Sequence, residues 1–216
     1  MKKSIIVAHY NEDLDWIVNL ETDCEKFIYS KTDGRFRKTP GNKGQEVPMY
    51  LLYIIENWDN LAEKTLFLHG HSNSGHQDFP SIDIIDNINW NTRNFFSVNK
   101  RDWYQEISKN KELDKGAFDL WLRKNWDIFQ NQLPFPEDGL FFYSGAQFVV
   151  DKELIKQYEK SFWINLYNWI QTTDTPNFVS SRIFEYTWHY IFTKNPIEEK
   201  IEIILHEKDN KLQFIR

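Results

Sequence analysis

Three short apolar runs, with an amphipathic stretch between the second and third, set the limits on this fold. Ser4–Tyr10 (SIIVAHY) is continuous, β-branched and too short for a buried helix, so it predicts a buried strand. Lys26–Lys31 (KFIYSK) reads as a second strand and Lys64–His71 (KTLFLHGH) as a third. Between the last two, Val47, Tyr50, Leu51, Ile54, Ile55 and Trp58 recur at helical spacing over Glu46–Trp58. Pro48 falls in the first turn, where its missing N–H costs little. Strand, helix, strand at this spacing predicts a βαβ unit and a parallel sheet.

Further along, Phe118, Trp121, Leu122, Trp126 and Phe129 mark another helix. Gly139–Val150 predicts a strand pair or a bent strand, with Ser144-Gly145-Ala146 at the bend. Asp151 is placed to cap a helix over Lys152–Tyr158, and helices are expected over Ser161–Thr172 and Ser180–Thr193. Ile201–Ile215 reads as a hairpin turning at Asp209-Asn210. The whole, residues 1–216, is expected to be one α/β domain: a mostly parallel central sheet flanked by helices, with a C-terminal hairpin.

Aromatic residues make up 17% of the chain, with nine Trp, enough to close a large core and still line a cleft. The net charge of −6 speaks against nucleic acid or an anionic membrane as partner. Cys24 is the single cysteine, so no disulfide forms within the chain, which suits a reducing compartment. The first residues reach Asn11, Glu12 and Asp13 too soon for a signal peptide, and no apolar run approaches the roughly 18 residues of a membrane span. A cytoplasmic protein with no transmembrane segment is the expectation.

The candidate chemistry lies in three places. Thr65–Asp78 (TLFLHGHSNSGHQD) holds three of the six histidines. His69 and His71, two apart at a strand end, point to one face, with Gly70 leaving that face open. Two imidazoles can share a divalent cation, Mn²⁺ or Zn²⁺, with His76 or Asp78 returning as third ligand. The bland reading is a polar loop bonding backbone and water. Second, Asn11, Glu12 and Asp13 follow a buried strand and offer acceptors for a base and ribose, or else serve a helix N-terminus. Third, Arg182, Glu185 and His189 fall on one stripe of a helix that is otherwise apolar, facing a wet cleft or forming a surface ion pair. Lys43, with Arg35, Arg37 and Lys38, sits in a Gly-containing loop before a helix, where phosphate can be held.

Four segments, IVAHYNEDLDWI, NKGQEVPMYLLYIIENWDNLAEKTLFLHGH, YSGAQFVVDKELI and RIFEYTWHYIF, resemble a widespread fungal and bacterial group catalogued as a domain of unknown function. Its layout is similar to the GT-A glycosyltransferase fold. The resemblance implies that Ala8, His9, Tyr10, Asn11, Glu12 and Asp13 form the nucleotide turn of a sugar donor, UDP- or GDP-linked, with Lys43 near its phosphates. It implies that Tyr143, Ser144, Gly145 and Ala146 shape the acceptor side, for a glycan or glycolipid. At the D-x-D position of that fold stands His69-Gly70-His71, which holds the diphosphate with a metal or without one. Glu185 is then the expected base, flanked by Arg182 and His189, with Tyr186 and Trp188 stacking on a sugar. The alternatives are a zinc-dependent hydrolase using His69, His71 and His76, and a carbohydrate-binding domain without turnover.

Overall fold

Strand alternation sends Ile6 and Ala8 to one face of the first strand and Ile5 and Val7 to the other, and all four are buried. This strand, β1 (Lys3–His9), is therefore central, and both faces of the sheet need cover. The computed structural model describes all residues except 40, 42, 92, 93, 112–115, 201, 207–210 and 216, and the backbone alone at 202–206 and 211–215. After β1 come α1 (Asp15–Val18), β2 (Glu25–Ser30), β3 (Arg37–Lys38), α2 (Val47–Glu56), β4 (Lys64–His69), α3 (Ser81–Asn87) and β5 (Phe95–Ser97). Then follow β6 (Tyr104–Ile107), a π-helix (Ala117–Arg123), β7 (Leu140–Tyr143), β8 (Phe148–Asp151), α4 (Lys152–Lys156), α5 (Lys160–Thr172) and α6 (Asn177–Thr193). A hairpin of β9 (Glu202–His206) and β10 (Lys211–Ile215) ends the chain.

Among the described residues, six strands form one sheet in the order β3-β2-β1-β4-β8-β5. Pairing is parallel from β3 through β4 and antiparallel on both sides of β8. The mixed α/β fold with a mostly parallel sheet is the one the sequence predicts. The bend in Gly139–Val150 is also present. It separates β7, which pairs with β6 in a small sheet, from β8 in the main one. Gly145 (φ +123°) and Ala146 (φ +51°) make the turn.

The two faces are covered differently. On one, α2, α5 and α6 bring most of the aromatic residues to the sheet. Phe148 is the hub: its ring lies 5.1 Å from Phe67, 5.4 Å from Phe95, 5.5 Å from Trp188 and Phe192, and 6.0 Å from Tyr50. The other face is mainly aliphatic, with Leu14, Ile17, Ile84, Ile85 and Val98 over Ile5, Val7, Leu66 and Leu68. Gly44 (φ +73°) lets the start of α2 approach α5, since a Cβ there would stand 2.4 Å from Ile170 Cγ1.

Some local expectations change. The helix expected over Phe118–Phe129 is a π-helix followed by a 3₁₀ turn at Trp126–Phe129, with Asn125 Nδ2 donating to Trp121 O (2.7 Å) at the joint. Asp151 takes the N-cap position of α4 but makes no cap bond; its carboxylate pairs with the buried Lys64 on the adjoining strand. The hairpin is present, and its expected turn at Asp209-Asn210 lies outside the described residues. Among the described residues no helix is long and apolar enough to cross a membrane.

Because five rings converge on Phe148, Phe148→Ala leaves a cavity that neighbouring strands cannot close. Urea unfolding should show a loss of about 3–5 kcal/mol.

Candidate functional site

β1, β2, β4 and β5 run one way and β8 the other, so the carboxyl ends of the first four meet the amino end of β8 at one edge. The strand order also reverses here: β2 and β3 lie to one side of β1, and β4 to the other. Chain leaving β1 and chain leaving β4 must part, and a crevice opens between them. Ala8 pairs with His69 and His9 with Ser30, which brings the three strand ends level. A cavity of ≈ 440 Å³ lies at this edge, lined among others by Ala8, His9, Tyr10, Glu12, Lys31, Glu46, His69, His71 and His76.

The turn after β1 is built around Glu12. Its Oε2 accepts from the backbone N–H of Tyr10 (2.7 Å) and Asn11 (3.1 Å), while Oε1 stands 3.7 Å from His71 Nε2. Gly70 makes this possible, since a Cβ there would meet Glu12 Oε2 at 2.7 Å. His9 is a buried pin: Nδ1 shares a hydrogen bond with Ser30 Oγ (2.8 Å) and Nε2–H donates to Glu12 O (3.1 Å). Asp13 accepts from the Asp15 N–H (2.9 Å) at the start of α1, and Asn11 is exposed. Tyr10, 45% exposed, stands at the rim.

The histidine loop folds back on itself. His69 Nδ1 and His76 Nε2 are hydrogen-bonded at 2.9 Å, and the His71 ring lies 6.5 Å from His69 and 6.3 Å from His76. Burial holds His69 well below the usual imidazole value, and the charges of His76 and His71 push the same way. His76 is lowered too, by burial and then by His71, against the pull of Glu185. Both shifts favour the neutral rings, and in a neutral pair one ring donates and the other accepts. Asp78 does not return to the histidines; it is ion-paired with Arg101 (3.0 Å). Among the described residues no three His, Cys, Asp or Glu side chains are arranged to hold a metal ion. His69 Nδ1 is engaged by His76 while His69 Nε2 has no hydrogen-bond partner among the described residues, and no step below passes through a metal.

The stripe on α6 divides. Glu185, with its side chain 10% exposed, faces the edge: Oε1 accepts from Ser144 Oγ and from Gly145 N–H (3.0 Å), and Oε2 from Arg182. Gly145 is needed here as well, since a Cβ would strike Asn99 Oδ1 at 2.5 Å. His189, one turn further on, is elsewhere. It is buried, stacked against Phe142 (6.3 Å, 15°), and its Nε2–H donates to Pro196 O (3.1 Å). Burial pushes His189 down to about 4, against that backbone bond. Trp188 is in the core, and Tyr143, Ser144 and Ala146 are buried. The acceptor surface expected from Tyr143–Ala146 and Trp188 is thus a closed turn and a core ring. Lys43 is not among the residues that line the cavity, its Nζ donating to Thr173 O (2.7 Å) and Thr175 O (2.6 Å).

Two titratable cavity residues are not among those expected from the sequence. Lys31 directly follows β2, and Glu46 directly precedes α2. Burial lowers Lys31 to about 8, against the pull of Glu46. Burial raises Glu46 to about 7, with Glu185 adding to the shift and its own backbone bond, Lys31 and Arg182 opposing it. The signal for Lys31 was present, because a strand parallel to β1 must end at the same edge. Gln147, whose Oε1 accepts from the His69 N–H (3.1 Å), was missed too.

Fold and site together define an α/β protein with a polar cleft at the carboxyl edge of its sheet. Residues 5–202 match the model of the family described as "Protein of unknown function (DUF3431)", and the chain belongs to that family. No curated protein matches its sequence. Among solved structures, the apo form of the bifunctional glycosyltransferase WbbM is similar at a TM-score of 0.41 and 11% identity, over 99% of this chain and 45% of that one. The chain thus spans less than half the length of that enzyme.

Glu46 gives a pH test of the site. Its folded value, about 7, is above the ordinary 4.5, so the unfolded chain loses this proton first as pH rises. Ionisation then favours unfolding: the cost is absent below about pH 4.5 and complete above about pH 7. Glu46→Gln should raise stability at about pH 8 by up to roughly 3 kcal/mol and leave it little changed at about pH 4. Thermal unfolding at the two pH values checks this.

Proposed function

We propose that this chain is a glycosyltransferase that takes a sugar from a UDP- or GDP-linked donor and passes it to a hydroxyl of a glycan or glycolipid. The observation that carries the reading is the convergence of the Ala8–Asp13 turn, the histidine loop and the Lys31–Glu46 pair on one cavity at the strand-order reversal. Tyr10, at the rim, offers a ring for the base. Glu12, held rigid by two amides, offers its carboxylate to ribose hydroxyls. Lys31, His71 and His76 face the diphosphate, Lys31 as a cation and His76 as a hydrogen-bonding group.

The chemistry asks for two things. The bond from sugar C1 to the diphosphate oxygen breaks with the electron pair leaving on phosphate, and Lys31 stabilises the charge that develops there. The acceptor oxygen forms the new bond to C1 and loses its proton to a carboxylate. The lone pairs of Glu185 are committed to Ser144, Gly145 and Arg182, which suits it to positioning the turn. Glu46, with a value near 7, is matched to accept a proton at neutral pH. This moves the expected base from Glu185 to Glu46. A half-buried ionisable group that costs stability and serves turnover is a common compromise at active sites.

In a thermal-shift panel of UDP, GDP, CMP and TDP, UDP or GDP at about 100 times its Kd should raise the Tm by roughly 5–10 °C without added Mn²⁺. Lys31→Ala and the double change His71→Ala, His76→Ala should remove the response, while Lys43→Ala keeps it. No response to any of the four, or a response untouched by those variants, refutes the site. Glu46→Gln should lower turnover by roughly 10²-fold with the nucleotide response intact.

A further inference from the structure

The expected acceptor surface is closed, yet a second cavity shares a wall with the cleft. It measures ≈ 530 Å³ and is lined by the π-helix residues Leu120 and Trp121, by Lys124 and Asn125, and by Thr173–Pro176. Pro176 lines this cavity, while Asn177, the next residue, lines the cleft. Trp121 is half-buried, with Phe178 edge-on at 5.5 Å (86°) and Tyr186 stacked at 6.5 Å (15°). Phe178 and Leu120 are 55% and 66% exposed, the two most exposed large apolar side chains among the described residues outside the N-terminal Met1. On α6, Phe178, Arg182 and Glu185 follow one another at i, i+4 and i+7, so one stripe runs from the cleft out to the aromatic group.

We propose that this aromatic cavity is a sugar-binding subsite that receives the acceptor. The chemistry of its lining selects a carbohydrate. A sugar ring has apolar faces that pack on aromatic rings and an equator of hydroxyls that needs donors and acceptors. Trp121 supplies the ring of the lining, and the exposed Phe178, edge-on to it, stands beside the cavity. Lys124, Asp174 and Asn125 supply the polar groups, and Asn125 is fixed by bonds from Thr175 Oγ1 (3.2 Å) and to Trp121 O (2.7 Å). An acyl chain asks instead for continuous apolar surface, which these polar groups interrupt. The π-helix is the second observation: π turns are rare and frequent at functional sites, and this one carries both Leu120 and Trp121. Calling the sugar an acceptor rests on the transferase reading; the binding of a sugar does not.

The test is binding of the whole chain to an immobilised panel of neutral hexose oligosaccharides, with an immobilised decyl chain beside them. At least one oligosaccharide should be retained. Trp121→Ala should weaken its binding about tenfold, the worth of one aromatic contact. Because Trp121 also covers Tyr186, Phe178→Ala and Lys124→Ala, at exposed positions, serve as further variants and should each weaken it several-fold. Circular dichroism and the thermal response to UDP and GDP should be unchanged in all three. Retention of no oligosaccharide, retention of the decyl chain alone, or sugar binding indifferent to all three variants overturns the subsite. Sugar binding that depends on Trp121 in a protein deaf to all nucleotides upholds the subsite and refutes the transferase reading.

Discussion

Parallel pairing of β1 with β4, with Ala8 opposite His69, is the interaction on which the rest of the structure depends. Both strands are buried on both faces, so neither can slip by one residue without turning its apolar set the wrong way. The register therefore fixes where each strand stops and where its polar continuation begins. Past that point the two chains separate, and the gap is filled by a carboxylate: Glu12, which reaches across to Gly70 and His71. Trp16 ties the same junction by donating from Nε1 to Gly70 O (2.9 Å). The cleft is thus a consequence of sheet order, and its polar lining a consequence of where the apolar runs end.

The lining is costly in ways a core is not. His69 Nε2 is buried with no hydrogen-bond partner among the described residues. Glu46 and Lys31 are both shifted toward neutrality by burial, each partly held by the other. Structural ion pairs elsewhere look different: Glu137 with Arg123 and Asp33 with Arg35 sit at the surface, and each carboxyl is lowered by its arginine. The cleft groups are pushed toward their neutral forms and the surface pairs toward their charged forms, so the perturbed ionisable groups gather at the cleft.

Much of the frame was legible in the sequence because it rests on periodicity. The runs at Ser4–Tyr10, Lys26–Lys31 and Lys64–His71 became β1, β2 and β4, and the face of Val47, Tyr50, Leu51 and Ile54 became the buried side of α2. What periodicity cannot supply is the identity of the neighbour. Arg182, Glu185 and His189 share a helical stripe, but the stripe spans two environments: a turn at Ser144-Gly145 and a closed contact with Phe142 and Pro196. Trp188, the expected sugar platform, is a core ring, and the half-buried Trp121 is carried by a π-helix whose geometry no 3.6-residue pattern announces. Lys43 is expected near phosphate from its cationic, Gly-containing loop before a helix, and its Nζ donates to two backbone carbonyls. β5 is too short, and α3 too interrupted by polar residues, to stand out from flanking loops.

The proposed transfer requires the histidine loop and the turn after β1 to bind a nucleoside diphosphate together. Long-range proton–nitrogen correlation spectra of the imidazoles, recorded as UDP or GDP is added, test it most directly. His189, closed off against Phe142 and kept neutral by burial, is an internal control in the same spectrum. With nucleotide bound there, the ring resonances of His69, His71 and His76 should shift together and saturate with one affinity while those of His189 stay still. Resonances of the three that do not move at saturating nucleotide, or that move no more than those of His189, would contradict it.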